Sequence, residues 1–92
     1  MRATIRNDIH YTRMNIFWNE PLAEPVELKS GAKLHTLLDA AHFVEREFPG
    51  PVRAEVFDTY AALLQASRTG QVEDRQVATN ALLAALLAEE LV

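Results

Sequence analysis

Apolar and polar positions divide the chain into an extended first part and a helical second part. Val26-Glu27-Leu28-Lys29 alternates apolar with charged, the pattern of a strand with one face buried and the other in water. Ser30-Gly31 supplies a turn, after which Lys33-Leu34 either pairs back as a short return strand or leads into the first helix. Pro21 and Pro25 keep the preceding segment out of helix. Because an isolated two-stranded hairpin is marginal in water, the apolar run Ile16-Phe17-Trp18 is a candidate third strand.

From residue 36 the apolar period becomes helical. Thr36 and Asp39 form a Thr-x-x-Asp capping pattern that opens a helix over about 36–48, with Leu37, Ala41, Val44 and Phe48 on one side and Leu34 and Leu38 flanking. Pro49-Gly50-Pro51 ends it, and Pro51 suits the first turn of a second helix, about 52–67. There Val56, Tyr60, Leu63 and Ser67 make the central stripe, Phe57 and Leu64 lie beside it, and Glu55, Asp58 and Gln65 lie opposite. Gly70 is a natural stop, and the acids Glu73 and Asp74 favour the start of a third helix, about 73–90.

That third helix organises the rest. Val77, Ala78, Ala81, Ala84, Ala85 and Ala88 run along one side, and Leu82, Leu83, Leu86 and Leu87 along the other. A helix apolar all round is normally covered all round. The alanine side admits a close helix of the same chain. Leaving the leucine side in water would forgo roughly 1.5–3 kcal/mol per side chain. Two coverings are open: the same side of a second copy in a two-fold dimer, or the hairpin, with Leu82 and Leu86 beneath it. We expect the dimer. The fold expected is α+β, a short N-terminal antiparallel hairpin or three-stranded sheet packed on three helices. Residues 1–13 form an arm, disordered or an edge strand, and residues 14–92 a single domain, with Met14 an alternative start.

Charge and composition narrow the function. The net charge of −4 divides into +2 over residues 1–19 (Arg2, Arg6 and Arg13 against Asp8) and −6 over residues 20–92 (six bases against twelve acids). An acidic body argues against a duplex-binding surface, because neutralising phosphates supplies most non-specific affinity. Only the basic arm would serve a nucleic-acid regulator. With no cysteine, disulfides and thiolate metal sites are excluded. The longest apolar run, Ala81–Ala88, falls far short of the roughly 20 residues that cross a bilayer, so a cytoplasmic protein without a membrane partner is expected.

Candidate chemistry is sparse. His35, Asp39, His42 and Arg46 stand at i, i+4, i+7 and i+11, so two imidazoles and a carboxylate on one helical stripe offer ligands for Zn²⁺ or another divalent ion. The alternative is the solvated face of an amphipathic helix. Tyr60 reads as a core residue with its hydroxyl at the edge, Glu45-Arg46-Glu47 as a solvated cluster, and Ser67 has no histidine at helical spacing. Gly31, Gly50 and Gly70 mark turns and helix ends and form no phosphate loop. Trp18 is an interface anchor if exposed, and otherwise packs over the sheet. The expectation is a non-enzymatic homodimer without a cofactor, with another protein as a second possible partner. Its interface residues are Leu82, Leu83, Leu86, Leu87 and Trp18.

The order of signals resembles domain-of-unknown-function family 982, small proteins of rhizobia and related α-proteobacteria. The residues that carry the resemblance are Trp18, Pro25-Val26, Phe48-Pro49, Gly70 and Glu73-Asp74-Arg75, over about residues 17–92. The chain has Phe48 where the family pattern usually has Trp, and Asp74-Arg75 where it has Ala-Arg. The resemblance implies a small α+β domain and brings no catalytic or binding residues with it.

Overall fold

The computed structural model describes residues 16–48 and 54–92. Within them the chain is α+β: two antiparallel strands, β1 (Pro21–Glu27) and β2 (Lys33–Thr36), then three helices, α1 (Leu37–Glu47), α2 (Ala54–Thr69) and α3 (Val72–Ala88). The two-stranded form of the expected sheet is the one adopted. The expected arm over residues 1–13, Met14 and the Pro49-Gly50-Pro51 break lie outside the described residues.

Ile16-Phe17-Trp18 is a turn and not a third strand. The Phe17 N–H donates to Ser67 O near the end of α2 (3.0 Å), and the Glu20 N–H donates back to Phe17 O (3.0 Å). Backbone groups that a strand would pair are already spent, and each carries only one donor. Strand β1 starts earlier than the alternation suggests and contains both prolines, with its register broken between Pro21 and Val26. Such residues are tolerated because each strand of a two-stranded sheet is an edge, where a missing N–H costs no ladder bond. Leu22 and Val26 point inward from β1, and Leu34 from β2. The connecting turn is closed by the Gly31 N–H on Leu28 O and the Leu28 N–H on Ala32 O (both 2.8 Å), with Gly31 at φ +97°. Only glycine enters that region without strain.

Thr36 is at once the last residue of β2 and the N-cap of α1. The Asp39 N–H donates to Thr36 Oγ1 (3.0 Å), while Asp39 Oδ2 accepts from the N–H groups of Thr36 (3.2 Å) and His35 (3.0 Å). The capping box expected from sequence is formed, and a cap of this kind stabilises a helix by about 0.5–2 kcal/mol. Helix α1 buries Leu37, Ala40, Ala41, Phe43 and Val44. The buried face of α2 is turned from the expected stripe: Val56, Thr59, Leu63, Ala66 and Ser67 are inside, Tyr60 is half-buried, and Phe57 and Leu64 are exposed. The small side chains of Thr59 and Ala66 account for the rotation, since they let α3 approach closely enough for Thr59 Oγ1 to donate to Ala81 O (3.1 Å).

Helix α3 packs chiefly against α2 and β1. Ala78, Thr79, Leu82, Ala85 and Leu86 are buried, with Leu82 and Leu86 wholly so. Strand β1 is tied across this face by the Ala23 N–H on Thr79 Oγ1 (2.9 Å) and by Arg75 Nη1 on Pro21 O (3.2 Å). The Thr79 hydroxyl gives its own hydrogen to Arg75 O (2.8 Å), so this buried polar side chain is satisfied both ways. The hairpin is thus the covering of the leucine side. One chain supplies it because the inward residues of β1, Leu22 and Val26, need an apolar partner as much as the helix does.

Candidate functional site

The structure does not assemble the residues proposed for a metal into a ligand group. His35 lies on β2, ahead of α1, and is exposed; His42 is exposed on the helix; Asp39 has Oδ2 engaged by two backbone donors. Those donors, the His35 N–H first, hold the Asp39 carboxyl below its usual range, against an opposing contribution from burial. The carboxylate caps a helix. Among the described residues, no group of three His, Cys, Asp or Glu side chains is arranged to hold a metal ion. The basic arm of Arg2, Arg6 and Arg13, and with it the nucleic-acid alternative, lies outside the described residues.

The residues expected at an interface are divided between core and surface. Leu82 and Leu86 belong to the interior of this chain, and Leu83 is half-buried against the same core. Trp18 is half-buried and packs on that core, and its carbonyl accepts the Leu38 N–H (2.9 Å), so it is no free anchor. Of the named leucines only Leu87 faces water, at 62% exposure. It continues an outward stripe that the two-sided sequence reading did not isolate. Glu73, Val77, Asn80, Ala84 and Leu87 recur at spacings of four and three and are all exposed, Val77 at 57%. Spacing of this kind averages 3.5 residues and keeps one seam along a helix.

A second feature lies between α1 and α2. A cleft of about 320 Å³ is lined by Val44, Glu45 and Phe48 from the end of α1 and by Val56, Phe57 and Tyr60 from α2. Its volume falls at the lower end of ordinary small-molecule sites. Tyr60 Oη donates to Glu45 Oε2 (2.9 Å) across the two helices. That bond, made by the neutral phenol to a carboxylate, raises the Tyr60 pKa above its ordinary value, with burial and the charge of Glu45 adding to it. Phe57 stands 63% exposed at the wall. The sequence pattern puts Tyr60 on the central stripe with its hydroxyl at the edge; the structure leaves it half-buried, and the pattern gives no sign of its partner because fifteen residues and a helix break separate it from Glu45. Next to this site Arg46 Nε pairs with Glu47 Oε2 (3.6 Å) and its guanidinium lies 5.6 Å from the Phe43 ring centroid, so the charged cluster is only partly free in water.

No protein family, curated protein or solved structure matches the chain. Among the described residues no helix is long and apolar enough to cross a membrane.

Proposed function

We propose that the chain is a small non-enzymatic interaction module that assembles as a homodimer through α3. The observation that carries this reading is the outward stripe of that helix: Val77, Ala84 and Leu87 lie in water along one seam although the helix has already buried its opposite face within the chain. In a two-fold pair such a seam meets its own copy and leaves no unpaired apolar edge. Ala84 keeps the helix axes close, and Asn80, between Val77 and Ala84, is a polar residue of the kind that fixes register at some cost in stability. The stripe supports the dimer expected from the sequence, moved by nearly half a turn from Leu82 and Leu86 to Val77 and Leu87.

Light scattering coupled to size exclusion at high micromolar concentration tests it. The dimer mass is expected for the wild-type chain and the monomer mass for Val77→Asp/Leu87→Asp, with helical circular dichroism unchanged because both side chains point to water. A wild-type chain that stays monomeric rejects the reading.

A further inference from the structure

We propose that the cleft between α1 and α2 binds a small organic ammonium ion, a primary ammonium group carried on a short apolar body. The walls are apolar and aromatic: Val44, Phe48, Val56, Phe57 and the ring of Tyr60. The polar side chains among its described lining residues, Glu45 and Tyr60, present acceptors. Tyr60 has given its single hydrogen to Glu45 Oε2, which leaves the phenol oxygen, the remaining lone pairs of that carboxylate oxygen and the whole of Oε1. A ligand seated there must therefore donate hydrogen bonds, and the formal charge it meets among the lining residues is the negative one of Glu45.

An anion would meet the repulsion of the Glu45 carboxylate and, among the described lining side chains, no donor that is not already given to it, while a neutral alcohol would satisfy one acceptor without the charge. A primary ammonium supplies three donors and the complementary charge. Phe48, Phe57 and Tyr60 add π-faces or edges to the same lining, and cations are attracted to aromatic faces by about 0.5–2 kcal/mol. A free small molecule is the occupant that fits a volume of about 320 Å³. The exposure of the Phe57 ring then has an account, since the ring gains an apolar neighbour when the cleft fills. The site is independent of the seam on α3.

Three probes with one six-carbon chain and different heads decide the matter: hexylammonium, hexanol and hexanoate, titrated into the full chain at neutral pH and followed by backbone amide and Tyr60 ring shifts in NMR. Hexylammonium is expected to saturate shifts confined to the cleft, with affinity about tenfold above hexanoate and several-fold above hexanol. Glu45→Gln, a surface change that keeps size and hydrogen bonding, should abolish the preference for hexylammonium over hexanol. Tyr60→Phe should retain that preference, because it keeps the ring and frees the carboxylate. Raising salt from about 20 to 500 mM should weaken hexylammonium and leave hexanol unchanged. Equal affinity for hexylammonium and hexanol in the wild-type chain, or shifts that map outside the cleft, overturns the proposal.

Discussion

Replacing Gly70 by Ala measures how the corner between α2 and α3 holds the N-terminal turn. Gly70 follows the last residue of α2 at φ +67°, with its N–H on Ala66 O (2.8 Å). This is the left-handed residue that commonly closes a helix. Two costs of the substitution are separable. The first is conformational, about 1–2 kcal/mol for an L residue placed in the left-handed region. The second is steric: a Cβ at this position would stand 2.8 Å from both Cγ and Cδ1 of Phe17 and 3.2 Å from Cδ2. Carbon atoms sit comfortably at about 3.5–4.0 Å, so the ring must retreat by roughly 1 Å. Its backbone resists, being tied to Ser67 O through the N–H and to the Glu20 N–H through the carbonyl. Forcing extra volume into a packed site costs about 1–3 kcal/mol. Together the two amount to about 2–5 kcal/mol, against about 5–14 kcal/mol of total stability for a chain of this length.

Urea denaturation followed by far-ultraviolet circular dichroism and by fluorescence of Trp18, the single tryptophan, reads the loss. The decisive form is a double-mutant cycle with Phe17→Ala. Once the ring is gone only the conformational cost remains, so Gly70→Ala should be milder in that background by about 1–3 kcal/mol. Additivity of the two substitutions within about 0.5 kcal/mol would refute the contact.

Leu82→Ala should cost about 2–5 kcal/mol, because Leu82 is wholly buried beneath the hairpin, and Leu87→Ala no more than about 0.5 kcal/mol in dilute monomer; equal costs in urea denaturation would contradict the placement of the two leucines. Thr36→Ala should remove about 0.5–2 kcal/mol of helix capping. Since the Asp39 carboxyl titrates lower in the folded chain than in the unfolded one, its contribution is complete above the unfolded value, about 3.9, and disappears as pH falls through the folded one. Stability measured from about pH 5 down to about pH 2 should therefore decline more steeply in the wild type than in Asp39→Asn, and parallel curves would rule the cap out as the source.

Local signals were legible and pairings between distant segments were not. The cap at Thr36 and Asp39, the turn at Gly31 and the helix stop at Gly70 each depend on a few neighbouring residues, and each is found where the pattern puts it. What covers α3 depends on β1, some fifty residues earlier, through contacts such as Ala23 with Thr79 that no periodicity encodes. Two strands and one leucine-rich face satisfy one another, and a helix judged alone looks in need of a second molecule. The rotation of α2 has the same origin. An apolar moment counts Phe57 and Leu64 as large and therefore inward, whereas close approach of two helices rewards Thr59 and Ala66 for being small. The Glu45–Tyr60 bond was invisible because it joins the end of one helix to the first half of the next across a break.

The hairpin has one consequence for how this protein meets others. Alternate positions 21, 23 and 25 of β1 offer a visiting strand no free donor: two are prolines, and the Ala23 N–H is occupied by Thr79. On β2, four residues long, the N–H groups of His35 and Thr36 are held by Asp39. A sheet with these edge donors absent or engaged resists zippering with its own kind, the route by which exposed strands grow into fibres. The association proposed above would then run through side chains on helices, where a partner's shape and charge can be discriminated, and not through backbone, where any extended peptide would serve.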